Sequence, residues 1–166
     1  MKNFREGSIE GYKAVDEDAF RKVTVRNHTC PFCPLACGAH IKVRTGLFAG
    51  LELDRIEYET VALNGPNCGQ LDIGAIAKVN LLCNEYGMDT ISVGNITSFA
   101  MECSERGLID YSLEYGDSAG QIRFVNMIGK REGIGDVFAE GVRRASERLG
   151  LARYAVCRLY TSDAAV

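Results

Sequence analysis

The stretch Asp72-Ile73-Gly74-Ala75-Ile76-Ala77-Lys78-Val79-Asn80-Leu81-Leu82-Cys83-Asn84-Glu85-Tyr86-Gly87-Met88-Asp89-Thr90 decides how this chain folds. Ile73, Ile76, Ala77, Asn80 and Cys83 recur at steps of three and four and so share one helix face. Asp72 is a good N-cap, and Gly87 suits the left-handed position just past a helix end. The spacing therefore predicts a helix of about 15 residues, ~22 Å long. Asp89 then sits where a carboxylate caps a second helix, predicted over residues 90–106 and stopped by Gly107. That helix carries Ile91, Ile96, Phe99, Ala100, Met101 and Cys103. Its charges are confined to Glu102, Glu105 and Arg106, so most of its length is expected to be buried.

Toward the C-terminus the pattern repeats. Asp117 opens a third helix with Ile122, Val125 and Ile128 inward, ending near Arg131-Glu132-Gly133. Asp136 opens a fourth that runs to Gly150, with Val137, Phe138, Gly141, Val142 and Ala145 inward. A glycine inside that helix costs about 1 kcal/mol against alanine, so close packing is expected at Gly141. Repeated helix–glycine–helix joints point to antiparallel packing.

Toward the N-terminus the period changes. Residues 39–44 and 51–56 alternate apolar and polar around a glycine-rich turn, the signature of a β-hairpin. His40 on its first strand reads as a locally satisfied histidine. Glu57 and Glu59 end the second strand; two apart, they share one side of it, and pattern alone makes them a solvated polar face. Asn64-Gly65-Pro66-Asn67-Cys68-Gly69 is a loop, suited either to a plain turn or to cradling an anion with backbone N–H groups. Asp16 caps a short helix to about Val23, and residues 1–15 form an irregular lead-in. The fold class is mainly α: a multi-helical domain with a small β-hairpin and an N-terminal cysteine-rich turn.

That turn is His28-Thr29-Cys30-Pro31-Phe32-Cys33-Pro34-Leu35-Ala36-Cys37-Gly38, with cysteines at C-x2-C-x3-C spacing. Two prolines and a glycine keep it from running on as a helix, and such a bend can aim several thiolates at one point. An iron–sulfur cluster takes one thiolate at each corner iron. Zinc is the chief rival, though zinc sites usually add a second C-x2-C or H-x3-5-H pair, which this chain lacks. Three inert buried cysteines are the third reading.

With 166 residues, 46% of them hydrophobic and 25% charged, the chain can bury one real core. Its net charge of −3 with scattered Lys and Arg suggests neither nucleic acid nor membrane as a partner. No apolar run reaches the ~20 residues that span a bilayer. The N-terminus lacks a secretory signal, which places the chain in the cytoplasm. Seven cysteines there favour metal or redox use over disulfides.

In order, the Cys30-to-Cys37 turn, Glu57-Tyr58-Glu59-Thr60, Gly65-Pro66-Asn67-Cys68-Gly69, Tyr86-Gly87-Met88-Asp89-Thr90-Ile91-Ser92, Phe99-Ala100-Met101-Glu102, and Arg131-Glu132-Gly133-Ile134-Gly135 with Ala139-Glu140-Gly141-Val142 form a set of blocks. Together they resemble the middle, helical domain of the tungsten-containing aldehyde ferredoxin oxidoreductases, over residues 4–156. The resemblance implies a tungsten (or molybdenum) ion held by two pterin dithiolenes beside a 4Fe-4S cluster. It implies oxidation of an aldehyde to a carboxylic acid, with electrons passed to ferredoxin, the cofactor doing the hard step. Cys30, Cys33 and Cys37 match the cluster ligands. Asn84, Gly87 and Asp89 match the pterin-contact motif Asp-x-x-Gly-Leu-Asp, with Asn84 in place of its first Asp, and the loop carrying Asn67 joins them as cofactor-binding. Glu59, and less so Glu57, matches a metal-facing carboxylate that handles protons or water.

The resemblance also implies what is missing: an N-terminal β domain, and a later helical domain that supplies the fourth cluster cysteine. Cys68, Cys83 and Cys103 are the substitutes at hand, of which Cys83 and Cys103 read as core. Residues 157–166 match nothing in the family and read as a foreign tail. The chain is expected to be a fragment, inactive alone, with any cluster exposed and labile. Two further function classes stand beside this one: a free-standing iron–sulfur electron-transfer module, which would need a complete ligand set, and a zinc-stabilised interaction domain. A member of the same family recruited for another reduction is a fourth.

Overall fold

The computed structural model describes residues 1–35, 38–54 and 56–156. Among them are seven α-helices and one three-stranded antiparallel sheet. Helix α1 (Glu17–Val23) is capped by Asp16, whose side chain accepts from the Ala19 N–H, and it runs straight into strand β1 (Thr24–His28). Strand β2 (Gly38–Lys42) pairs with β1 on one side and with β3 (Glu52–Asp54) on the other. The expected hairpin is therefore β2–β3. Strand β1 is an addition that the sequence concealed: it holds one apolar residue in five, and a register irregularity between Thr24 and Arg26 breaks its alternation. One sheet face carries Ile41 and Leu53 into a small core with Val43 and Ala77. The other holds His40, hydrogen-bonded to Asp54 at 2.6 Å, and the Lys42–Glu52 ion pair.

Glu57-Tyr58-Glu59-Thr60 corrects the strand reading. Glu57 is the N-cap position of α2 (Tyr58–Asn64), and Glu59 lies in its first turn. Seven residues are too few to show a helical period, and the chain had just left an alternating strand. A single 3-10 turn (Pro66–Cys68) leads to α3 (Ile73–Tyr86). Asp72 caps α3 through the Gly74 N–H, and Gly87 ends it at φ +67°. There the Met88 N–H reaches the Cys83 carbonyl at 2.8 Å and the Gly87 N–H that of Asn84 at 3.3 Å, a Schellman closure. Helix α4 (Thr90–Glu105) follows at once, its N-cap Asp89 accepting from the Ser92 N–H at 2.7 Å.

Helix α4 is the axis of the domain. From Val93 to Cys103 almost every residue is buried. Phe99 meets Phe138 edge-on at 6.1 Å, and Phe138 meets Phe124 at 5.3 Å, joining α4 to α5 (Ser118–Lys130) and α6 (Ile134–Phe138). The predicted fourth helix is split: α6 stops at Phe138 and α7 (Val142–Leu149) begins after Gly141. Gly141 is at φ +86° with nothing within 4 Å of where a Cβ would stand, so a break in the chain, and not close packing, is what calls for glycine there.

The lead-in also has a task. Asn3 is buried, and its side-chain amide donates to Glu102 Oε2 at 2.7 Å and to the Tyr154 carbonyl. Arg106 donates to the other Glu102 oxygen at 2.8 Å.

Candidate functional site

Two contacts fasten α2 across the start of α4. Thr60 Oγ1 lies 2.7 Å from Thr90 Oγ1, and the Asn64 amide donates to the Thr90 carbonyl at 2.9 Å. Gly94 permits the approach, since a Cβ there would stand 2.6 Å from Leu63 Cβ. This crossing brings the first turn of α2 against the α3–α4 corner and leaves a cavity of about 350 Å³ between them. Glu57 and Glu59 enter it from α2, Asn80 and Asn84 from α3, Asp89 from the corner, and Asp54 from the end of β3. Thr60 and Asn80 are buried, whereas Glu57, Glu59, Asn84 and Asp89 are exposed.

Four of the six residues expected at the cofactor or catalytic positions thus share one cavity, although the sequence separates Glu57 from Asp89 by about a third of a helical domain's usual length. Gly87 sets the corner that aims Asp89. Asn67 lies apart: its side-chain oxygen accepts from the Phe4 N–H at 3.0 Å and its amide donates to Ser98 Oγ at 3.0 Å, both inside the core. Asp54, Thr60, Asn80 and Thr90 line the cavity without having been singled out in the sequence. Asp54 looked like one more polar position in a strand, and only its distance from the chain's next turn could have marked it.

The cavity is rich in acceptors. Asp54 is held below the usual carboxylate range by its hydrogen bond to His40. Asp89 keeps one oxygen in the helix cap, so its charge is anchored at the cavity edge. Such an acceptor set fits a flat heterocycle that presents N–H groups, as the amino-pyrimidinone edge of a pterin does.

The cysteine turn is the loop between β1 and β2. The Cys33 N–H bonds back to the Cys30 carbonyl at 3.0 Å, with Pro31 between them and Phe32 at φ +64°, the arrangement of a type II turn. Cys30 is exposed and Cys33 half-buried. Cys37 lies outside the described residues, and among the described residues no group of three His, Cys, Asp or Glu side chains is arranged to hold a metal ion. Cys68, Cys83 and Cys103 are buried in the helical core. Burial, aided by the Asp89 charge, pushes the Cys83 thiol up to about 12, and burial with the Glu102 charge does the same to Cys103. Burial raises Cys68 as well, and its thiol donates to the Leu63 carbonyl.

Register ties loop and cavity together. His28 pairs with Gly38 at the base of the loop, and His40 pairs with Asp54. The cysteine loop and the cavity rim therefore leave the same end of the sheet, two residues apart along β2, or ~7 Å.

Known proteins with related sequences bear on this arrangement. The tungsten-containing aldehyde ferredoxin oxidoreductase of Pyrococcus abyssi is 36% identical over 164 residues, which covers 92% of this chain and 26% of that protein. The aliphatic sulfonate oxidoreductase, WOR-like subunit, of Pyrococcus furiosus is 33% identical over 122 residues, covering 70% of this chain and 20% of that one. The chain thus spans about a quarter of the length of the first of these curated relatives. In fold it is like the active site complex BamBC of benzoyl coenzyme A reductase in complex with 1,5-dienoyl-CoA, with a TM-score of 0.72 at 23% identity, over 91% of this chain and 23% of that one. The family model described as aldehyde ferredoxin oxidoreductase, domains 2 & 3, matches residues 1–158, and the chain belongs to that family.

Proposed function

We propose that this chain is part of a tungstopterin, iron–sulfur oxidoreductase that converts an aldehyde and water to a carboxylic acid, two electrons and two protons, the electrons leaving through the cluster to ferredoxin. One observation carries the reading: Glu57, Glu59, Asn84 and Asp89, from separate stretches of sequence, meet in one cavity at the sheet end that also bears the cysteine loop. When bound, the tungsten (or molybdenum) bis-pterin supplies the two-electron chemistry, and a 4Fe-4S cluster conducts the electrons away.

The chain's own residues then have distinct tasks. Asp89 and Asn84 accept from the N–H edge of a pterin, and Gly87 sets the corner that holds them. Asn67 contributes indirectly, tying its turn to Ser98 of α4 and to the Phe4 N–H. Cys30, Cys33 and Cys37 give the cluster three thiolates. Glu59 is the base that takes a proton from water or substrate at the metal-facing side, and Glu57 tunes or relays it. Other domains of the full protein complete the pterin cradle and the ligand set. Among the described residues no helix is long and apolar enough to cross a membrane, and the reading places the enzyme in the cytoplasm.

The test is anaerobic purification of the full-length protein, with metal analysis and turnover. Tungsten, iron and broad visible absorption, with aldehyde-dependent reduction of ferredoxin, are expected. A colourless protein with stoichiometric zinc would establish the interaction-domain reading instead, and iron without tungsten the electron-transfer module. Glu59→Gln should keep its metals and lose more than tenfold in kcat. The sulfonate-named relative motivates a second substrate arm: aliphatic sulfonates in place of aldehydes.

A further inference from the structure

We propose that His28 is a positioning residue for the iron–sulfur cluster, giving a ring N–H to a coordinated sulfur from the base of the cysteine loop. This rests on the reading of Cys30, Cys33 and Cys37 as cluster thiolates. The loop departs from β1 at His28 and rejoins β2 at Gly38, and these two residues are cross-strand partners. His28 stands two residues before the first cysteine, and Gly38 directly follows the last. One edge of the imidazole lies against Gly38: a Cβ there would come within 2.5 Å of Nε2 and 2.7 Å of Cδ2. Only glycine leaves room for the ring at this point.

The ring's other nitrogen is the telling atom. His28 Nδ1 is buried and has no hydrogen-bond partner among the described residues. A buried polar atom without a partner costs free energy, so native structures seldom leave one. His40, two residues farther along the same sheet face, shows the contrast: Asp54 and Glu52 take up both of its nitrogens. Among the described residues His28 Nδ1 has no such partner. Coordinated thiolate and sulfide sulfurs are electron-rich acceptors. An N–H donated to them draws off negative charge, favours the reduced cluster and raises its potential.

The experiment uses the full-length holoenzyme. His28→Phe keeps a ring of similar size and deletes the N–H; His28→Gln keeps an N–H donor. The readouts are iron content and the cluster's midpoint potential, followed by EPR during redox titration. The expected result is a more negative potential in His28→Phe at unchanged iron content, with at least half of the shift restored in His28→Gln. An unshifted His28→Phe, or a His28→Gln shifted as far as His28→Phe, overturns the proposal. If His28→Phe takes up no iron, a loaded His28→Gln supports the donor role, and an empty His28→Gln overturns it. A wild-type enzyme with no iron–sulfur signal would remove the underlying reading and this proposal together. A wild-type signal with no shift removes this proposal alone.

Discussion

Gly94→Ala tests whether the α2–α4 crossing builds the cavity. The added Cβ would stand 2.6 Å from Leu63 Cβ, 2.8 Å from the Leu63 carbonyl carbon and 3.1 Å from the Asn64 nitrogen. Carbon atoms rest at about 3.5–4.0 Å, so α2 must retreat by about 1 Å. Two of the three atoms are backbone, and trimming Leu63 to alanine would leave all three in place. Overpacking of this kind costs about 1–3 kcal/mol. Alanine regains about 1 kcal/mol of helix propensity over glycine, which leaves a net loss of up to about 2 kcal/mol. For a chain of this size a net loss of about 2 kcal/mol lowers Tm by about 4–8 °C. The retreat would also stretch the 2.7 Å Thr60–Thr90 and 2.9 Å Asn64–Thr90 contacts and draw Glu57 and Glu59 away from Asp89. Thermal unfolding followed by circular dichroism reads the first effect. A Gly94→Ala protein that melts at or above the wild-type temperature would refute the reasoning, because the gain in helix propensity would then outweigh the clash with α2.

Asp89→Ser in the full-length enzyme should keep the helix cap, with Tm within 2 °C on about 0.5 kcal/mol, and still lose tungsten by metal analysis; Asp89→Ala should lose both, the cap being worth about 1 kcal/mol. Glu102→Ala removes the carboxylate that the Asn3 amide and the Arg106 guanidinium share, and urea denaturation should show a loss of about 1–3 kcal/mol. The buried thiols set a pH limit. Their folded values lie above the ordinary value near 9, so their contribution is complete below about pH 9 and is lost as pH rises toward about 12. The urea midpoint should fall across that window. At pH 8.5, iodoacetamide mass mapping of the metal-free native chain should find label on Cys30 and Cys33 before Cys68, Cys83 or Cys103.

What the sequence disclosed followed the strength of its local signals. Asp16, Asp72, Asp89 and Asp117 each accept from a backbone N–H at the head of the predicted helix, because a capping carboxylate acts within three residues and needs nothing from the rest of the fold. The long helices α3, α4 and α5 showed their period for the same reason. Strand β1 and helix α2 were hidden, since β1 holds one apolar residue in five and no side chain caps the head of α2, and both depend on tertiary partners. Gly141 was misread because its positive φ is a property of the path between α6 and α7, not of its neighbours in sequence. At the site, the acidic pair of α2 and the Gly87–Asp89 corner were visible as motifs. That they share a cavity follows from the Gly94 crossing, and no pattern of residues reports that.

Glu57 occupies a cap position yet makes no side-chain cap hydrogen bond. Glu59, in the first turn of the same helix, is exposed, so folding asks little of it. Gly87 and Asp89 are bound to the architecture, and Glu59 lies exposed at the cavity. A mutational scan scored by abundance would therefore flag the corner and pass over Glu59, whereas the same library scored by turnover would rank both. The difference between those two maps would separate the residues retained for shape from those retained for chemistry.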